Sequence, residues 1–110
     1  HMDILTDRPS KIYDIVLCNP PYISYKDYFK LPDDVLNYEP QNALTDKKDG
    51  LSFYIRLAEI GKEIKTKNGS IIIEFGTENQ INEIKNIFHN YTLIEITKDL
   101  NNNPRIMEFV

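Results

Sequence analysis

Glycine is scarce in this sequence, and so are cysteine and long apolar runs. Only four of the 110 residues are glycine, and no two are spaced as Gly-x-Gly, which excludes the glycine-rich turn that cradles phosphate groups. The one cysteine, Cys18, lies in an apolar run, which predicts a buried thiol in a reducing compartment. No run approaches the roughly 18 apolar residues of a membrane helix. No basic-then-apolar leader is present either, so we expect a cytoplasmic protein without a membrane span.

Positive charge is also in deficit. Lysine and arginine number 13 against 17 aspartates and glutamates, and the net charge is −4. Proteins that bind duplex nucleic acid usually carry a basic surface, so we expect no direct nucleic-acid partner. The length and the 41% hydrophobic content fit one small domain. His1-Met2 resembles a remnant of cloning, so the domain is taken as residues 3–110.

Apolar runs predict four strands. Tyr13–Cys18 is nearly continuously apolar, as a strand covered on both faces should be, and Ser70–Gly76 is a second strand of buried type. Two further strands, Thr92–Lys98 and Arg105–Val110, flank the asparagine-rich turn at Asn101–Pro104.

Two helices are predicted between these strands. Leu51–Lys67 carries an apolar stripe and is followed by Asn68-Gly69, a helix stop signal. Glu78–Asn90 follows a capping-box pattern, in which the Thr77 hydroxyl and the Gln80 amide satisfy each other's backbone N–H groups.

Residues 23–48 show no clear period and predict a long loop. Loops of that length inside a compact domain tend to be functional or disordered. The order of elements is strand, loop, helix, strand, helix, strand, strand. It indicates an α/β fold, with parallel strands joined by right-handed crossovers and a final antiparallel strand.

The sequence Asn19-Pro20-Pro21-Tyr22 ends the first strand, where parallel sheets bind their ligands. Pro20 restricts Asn19 to an extended conformation and so gives its side chain a defined direction. The prolines lack N–H groups, so their carbonyls accept hydrogen bonds without a competing local donor. The Asn19 side-chain oxygen and the Pro20 carbonyl could hold both hydrogens of a planar NH₂ group, with the Tyr22 ring stacked on it. This arrangement suits an amide or an aminopyrimidine nitrogen.

The surrounding sequence narrows the choice between these nitrogens. Five stretches resemble, in chain order, the peptide chain release factor glutamine methyltransferases, a Rossmann-like family that depends on S-adenosylmethionine: DIVLCNPPYIS, YEPQNAL, DGLSFYIRLAE, GSIIIEFGTENQ and KDLNNNPRI. The Asn-Pro-Pro-Tyr motif alone is shared with adenine methyltransferases. The Tyr-Glu-Pro segment at Tyr38, followed by Asp-Gly-Leu at Asp49, is what indicates the release factor family.

The resemblance implies methyl transfer to the side-chain amide of the glutamine in the Gly-Gly-Gln loop of release factors. It assigns Asn19 and Pro20 to catalysis, because they would hold that amide. A release factor is the implied partner, and no metal is implied. Four further residues would lie beside the substrate, with residues 23–48 as the substrate loop: Pro21, Tyr22, Tyr38 and Glu39.

The resemblance is incomplete on the side of the methyl donor. It implies that Asn19 also lies against S-adenosylmethionine and that Asp3 falls where the family has an acid beside the adenine. Ile4 stands where an aromatic residue often follows, and the glycine-rich donor loop has no counterpart. The chain therefore resembles the C-terminal half of the catalytic domain, and we expect it to be inactive on its own.

The family topology predicts a sheet in which the four strands, numbered along the chain, lie in the order first, second, fourth, third. The last strand would run antiparallel, and both helices would cover one face. The other face and the edge of the first strand would then be uncovered, and monomeric proteins avoid such surfaces. We therefore expect the chain to self-associate.

Two other functions are compatible with the sequence. One is methylation of the exocyclic amine of adenine in a nucleic acid, which requires an unstacked base and a positive surface for the backbone. The net charge of −4 argues against it. The other is a non-catalytic remnant that acts as a binding module. The sequence upstream of Asp3 and the mass of the natural gene product would separate these hypotheses.

Overall fold

The computed structural model describes residues 1–110. All four predicted strands and both predicted long helices are present, and the first strand has the predicted bounds. No helix is long and apolar enough to cross a membrane. The elements follow one another as β1 (Tyr13–Cys18), α1 (Tyr25–Tyr28), α2 (Asp33–Tyr38), α3 (Gln41–Leu44), α4 (Ser52–Ile64), β2 (Lys65–Glu74), α5 (Gln80–Ile87), β3 (Leu93–Lys98) and β4 (Pro104–Phe109).

The four strands form one sheet in the order β1-β2-β4-β3. β1 and β2 are parallel, with Leu17 opposite Ile72, whereas β4 runs antiparallel to both β2 and β3. The predicted strand order is confirmed, and the fold is a Rossmann-like α/β sheet. Because β1 and β2 are parallel, their carboxyl ends meet at the same edge of the sheet, where the Asn-Pro-Pro-Tyr turn begins.

The core lies between one face of the sheet and the two long helices. Along β2 the side chains alternate, so that Ile71 and Ile73 are fully buried while Ile72 and Glu74 are partly exposed on the other side. Helices α4 and α5 both pack on the buried side, which confirms that they share a face. Nine buried side chains form the core: Tyr54, Leu57, Ile71, Ile73, Phe75, Ile84, Phe88, Met107 and Phe109.

The opposite face of the sheet carries no helix, and β1 has a neighbouring strand on one side only. Tyr13, Ile15 and Leu17 are 42%, 59% and 73% exposed, whereas Val16 and Cys18 pack against the core. The predicted open face and free edge are therefore present, and the interpretation of β1 as a strand covered on both faces is wrong. The thiol of Cys18 is half-buried, and this burial raises its pKa to about 11.

Helix α4 ends at Ile64, before the predicted end at Lys67. The Asn68-Gly69 pair, which predicted the helix stop, lies inside β2 instead. There residues 66–69 interrupt the pairing opposite Asp14 of β1, between the single pair Tyr13–Lys65 and the regular pairing that starts at Ile15–Ser70. The turn-forming residues thus produce an irregularity in the strand rather than a helix terminus, because pairing with β1 extends the strand back to the end of α4.

Residues 23–48 are more ordered in secondary structure than the predicted loop. They contain the three short helices α1 to α3, and α1 is capped by Ser24, whose Oγ accepts the N–H of Asp27 at 3.2 Å. Buried Thr45 forms bridges to both Tyr22 and Ile23. Helices of one or two turns give only a weak periodic pattern in a sequence, and apolar residues at spacings of three and four indicate a local helix only around residues 25–31, where α1 forms. The segment folds back onto the end of the Asn-Pro-Pro-Tyr turn.

Candidate functional site

The Asn-Pro-Pro-Tyr turn starts at the carboxyl end of β1, beside the carboxyl end of β2. The side chain of Asn19 is exposed and Pro20 is buried. Neither the Asn19 side-chain oxygen nor the Pro20 carbonyl accepts a hydrogen bond from the rest of the chain. Two acceptors that are adjacent in the sequence therefore have no partner within the chain, and Asn19 is exposed at this edge of the sheet.

The aromatic ring of Tyr22 is fixed against the end of β2. A methyl group placed on Gly76 would lie 2.7 Å from Cδ2 of the ring, so the ring packs closely on the glycine backbone. The Tyr22 hydroxyl donates to Oε1 of Glu74 at 3.2 Å. Burial, and then the Glu74 carboxylate, raise the pKa of Tyr22, while Arg105 opposes the shift. The hydroxyl thus stays protonated at neutral pH and keeps donating to Glu74.

The main-chain carbonyl of Tyr22 contacts two other segments. Nε2 of Gln80 donates to it at 3.0 Å. The backbone of Gly50, whose φ is 84°, packs against it, since an added Cβ would approach the Tyr22 oxygen to 2.2 Å. Only glycine fits at that position, because both its backbone conformation and its space exclude a side chain. The turn is therefore clamped between the start of α5 and the segment before α4.

A cavity of about 470 Å³ opens beside Tyr22, and Gly76 and Gln80 form part of its wall. This volume is in the range of small-molecule and side-chain sites. Three acidic residues also line the cavity: Asp27, Asp49 and Glu83.

Two curated proteins of the same name are similar to this chain. The release factor glutamine methyltransferase of Fusobacterium nucleatum is 40% identical over 97 residues, which cover 86% of this chain and 27% of the relative. That of Clostridium acetobutylicum is 40% identical over 97 residues, which cover 86% of this chain and 34% of the relative. The chain is a homologue of the release factor glutamine methyltransferases.

The similarity extends to a second kind of methyltransferase. A bifunctional methyltransferase of Rickettsia conorii is 35% identical over 111 aligned positions, which cover 99% of this chain and 21% of the relative. No protein-family model matches the chain. The resemblance predicted from five short stretches is thus confirmed. The chain spans about a quarter to a third of the release factor methyltransferases described above, and it matches their C-terminal part.

Asp3, the residue predicted to bind the methyl donor, lies beside a different cavity from Tyr22. This second cavity, of about 480 Å³, is lined by both Asp3 and Pro21. The Asp3 carboxylate accepts the N–H of Leu5 at 3.0 Å, and its carbonyl accepts the N–H of Asp7 at 2.7 Å. These bonds stabilise the turn formed by residues 3–7. The Asp3 carboxylate therefore has fewer acceptor positions left for a ligand.

Tyr38 and Glu39, predicted to border the substrate, lie at the end of α2 and line neither of these cavities. Tyr38 is 85% exposed, and Glu39 is exposed as well. The structure therefore does not bring them into the group formed around Tyr22. No three His, Cys, Asp or Glu side chains converge in a set that could hold a metal ion.

Sequence reasoning missed three residues that position the turn: Glu74, Gly76 and Gln80. The predicted capping box is only half formed. Oε1 of Gln80 accepts the N–H of Thr77 at 3.4 Å, but the N–H of Gln80 donates to the Thr77 carbonyl rather than to its hydroxyl. Helix α5 accordingly begins at Gln80 and not at Glu78. An isolated glycine directly after a strand signals close approach of another group, and Gly76 could have been identified on that basis.

Proposed function

We propose that residues 3–110 are the C-terminal, substrate-side part of the catalytic domain of an S-adenosylmethionine-dependent protein-glutamine methyltransferase. Its substrate would be the side-chain amide of the glutamine in the Gly-Gly-Gln loop of peptide chain release factors, which act in the cytoplasm. One observation carries the proposal. The chain is a homologue of enzymes named for this reaction, and it keeps the Asn19 and Pro20 acceptors free beside a fixed Tyr22.

The free acceptors suit the chemistry of an amide nitrogen. Its lone pair is delocalised and therefore weakly nucleophilic. If the Asn19 oxygen and the Pro20 carbonyl each accept one hydrogen of the NH₂ group, the nitrogen is oriented along one line of attack. Both acceptors also stabilise the positive charge that develops on the nitrogen as it reacts. The Tyr22 ring provides a flat wall for the planar amide.

The methyl donor would be S-adenosylmethionine, which supplies an electrophilic methyl group. The residues of this chain do not complete a site for it. None of the four glycines forms a Gly-x-Gly turn, and the Asp3 carboxylate already accepts a hydrogen bond from Leu5. Asn19 and Asp3 would supply part of the site, and the rest would come from the longer protein. We therefore propose that the 110-residue chain is inactive alone.

Residues 23–48 would form the surface that meets the release factor. Three aromatic side chains in this segment are exposed: Tyr25 by 42%, Phe29 by 61% and Tyr38 by 85%. The rings of Tyr25 and Phe29 pack edge to face, with centroids 5.0 Å apart. Exposed aromatic residues are enriched in protein interfaces. Pro21 and Glu39 would extend this contact to either side.

The proposal is tested by methylation with labelled S-adenosylmethionine in the complete enzyme that contains this chain. We expect label on the Gly-Gly-Gln glutamine of a release factor, and none when that glutamine is replaced by alanine. Label on adenine in a parallel reaction with DNA or RNA would overturn the proposal in favour of a nucleic-acid methyltransferase. Release factor binding without any methyl transfer would indicate a binding module. The isolated chain should transfer no methyl group.

The role of Asn19 gives a separate prediction. In the complete enzyme, Asn19→Ala should lower kcat by about 10²–10³, because it removes a contact that strengthens as charge develops. Affinity for the release factor should change little, since many other contacts support docking. The matched control is Asn82→Ala on the exposed side of α5. Single-turnover rates and release factor titrations separate the two effects, and turnover of Asn19→Ala within threefold of the parent would contradict the assigned role.

A further inference from the structure

Gln80 makes hydrogen bonds with both ends of its side-chain amide. Its Oε1 accepts the N–H of Gly76 at 3.0 Å and that of Thr77 at 3.4 Å. Its Nε2 donates to the carbonyl of Tyr22 at 3.0 Å. The side chain therefore joins the turn after β1 to the turn after β2, and we call these three bonds the Gln80 bridge.

Support of the turn before α5 accounts for only part of this bridge. Oε1 accepts the N–H groups of Gly76 and Thr77, which precede the helix that begins at Gln80. The bond from Nε2 to Tyr22 adds nothing to this turn, and it reaches a residue far away in the sequence. An acceptor of the same shape, such as glutamate, would accept the two N–H groups equally well. The use of an amide is explained by the need for a donor toward Tyr22.

The bond to Tyr22 also constrains the acceptors of the proposed amide site. Pro20 and Pro21 have fixed φ angles, so the turn from Asn19 to Tyr22 has few internal degrees of freedom. Holding the Tyr22 carbonyl therefore restricts where the Pro20 carbonyl can lie. The backbone of Gly50 also lies close to the Tyr22 carbonyl, because a Cβ at Gly50 would approach its oxygen to 2.2 Å.

We propose that Gln80 is a positioning residue for methyl transfer, which sets the place of the Asn-Pro-Pro-Tyr acceptors through its bond to the Tyr22 carbonyl. The expected effect on turnover rests on the proposed function, whereas the bond between Gln80 and the Tyr22 carbonyl does not. Gln80 acts through Tyr22 and the two prolines and not by contact with the reacting nitrogen. A displacement of about 1 Å in such a site can lower the rate about 100-fold.

The substitution that separates positioning from support of the turn before α5 is Gln80→Glu. The new carboxylate still accepts both N–H groups, but it cannot donate to Tyr22 and places negative charge against a carbonyl oxygen. In the complete enzyme we expect kcat to fall at least about tenfold, with little change in KM for the release factor. Gln80→Ala, which removes all three bonds, should lower kcat as well and should also lower the melting temperature. The matched control is Asn82→Asp, which makes the same amide-to-carboxylate change on the exposed side of α5, away from the bridge.

A second readout does not depend on methyl transfer. Hydrogen exchange of the 110-residue chain at low concentration, followed by mass spectrometry, reports on the N–H of Ile23, which donates to Leu44 at 3.0 Å. With Gln80→Glu, exchange should become faster at Ile23, while Gly76 and Thr77 stay protected.

The two readouts distinguish failure of this inference from failure of the proposed function. Unchanged exchange at Ile23 together with kcat within threefold of the parent would overturn the positioning role. Faster exchange in Gln80→Glu, combined with a parent enzyme that methylates no release factor, would keep the bridge and overturn the proposed function instead.

Discussion

Asp46 binds backbone N–H groups in the segment between α3 and α4, which packs against Tyr22. Its Oδ1 accepts the N–H groups of Lys48 at 2.8 Å and Gly50 at 2.9 Å, and its Oδ2 accepts that of Ser52 at 3.1 Å. Partial burial by itself would raise the pKa of Asp46, but the hydrogen bonds from Ser52, Lys48 and Gly50 outweigh it and lower the pKa. One carboxylate therefore holds Gly50 under the Tyr22 carbonyl and stabilises the start of α4.

We predict that Asp46→Ala destabilises the chain by about 0.5–2 kcal/mol, the range for loss of a side chain that accepts backbone N–H groups at the start of a helix. Because the folded-state pKa is lowered, the stabilisation is present above the ordinary aspartate pKa of about 4 and is lost as pH falls through the folded value. Thermal unfolding should thus show a difference from the parent that is full at pH 7 and narrows below about pH 4.

The control for this prediction is Asp49→Ala, because the Asp49 carboxylate accepts only the N–H of Leu51. It should cost less than Asp46→Ala at pH 7. Equal losses of stability for the two variants would show that the three hydrogen bonds of Asp46 stabilise the chain no more than the single hydrogen bond of Asp49.

For single residues, the sequence was enough to locate the Asn-Pro-Pro-Tyr turn but not the groups that hold it. Motif chemistry points to Asn19 and Pro20, because the roles proposed for them depend on neighbours in the chain. Gln80 was recognised as a capping residue, and its bond to Tyr22 was not, since that partner is adjacent only after folding. The positive φ of Gly50 is likewise invisible in an Asp-Gly pair that also fits a helix start.

Among the elements, β1 is the strand that least resembles its sequence pattern. Its apolar residues are continuous, yet only alternate ones face the core. Continuous apolar sequence is typical of a strand covered on both sides, and here one side is open. The sequence pattern is typical of a strand with both faces buried, but in this chain only one face of β1 packs against the core.

This asymmetry predicts unequal costs for the same substitution on the two sides of the sheet. Ile73→Ala should lower the free energy of unfolding by about 2–5 kcal/mol, because the side chain is fully buried in the core. Ile15→Ala should change it by no more than about 0.5 kcal/mol, since that side chain is 59% exposed. Urea unfolding of both variants, at a concentration low enough to keep the chain monomeric, measures the difference. A large loss for Ile15→Ala there would mean that the open face is covered even in the monomer.

The helix boundaries show why element ends were predicted less well than elements. The apolar stripe of α4 was visible in the sequence, but its end was not. A local stop signal at Asn68-Gly69 competes with pairing between β1 and β2, and the pairing starts at Lys65. Tertiary contacts decided the boundary, and they cannot be deduced from a window of neighbouring residues.

For the whole molecule, the open face and the free edge of β1 have a joint effect. Tyr13, Ile15 and Leu17 are exposed on one side of β1, and the outer N–H and C=O groups of this strand have no partner strand. Both features favour association with another sheet. We therefore predict that the 110-residue chain forms dimers or larger species, by pairing of β1 edges or by contact of open faces.

Sedimentation over a range of micromolar concentrations measures this association. Ile15→Lys should shift the chain toward the monomer, because it places a charge on the open face of the edge strand β1. Ile55→Lys is the control, since Ile55 is 45% exposed on α4, away from that face. A parent chain that sediments as a monomer at high micromolar concentration would refute the prediction.

The long connection between β1 and β2 has a consequence for the order of assembly. β3 and β4 are joined by a short turn, whereas β1 reaches its partner β2 only across residues 19–64. Closing a long loop costs more entropy, so distant pairs form later than local ones. We expect the β3–β4 hairpin and its packing with α5 and β2 to form first and β1 to dock last. The strand that carries Asn19 would then also be the first to open, so its acceptors lie on the part of the sheet that detaches and returns most readily.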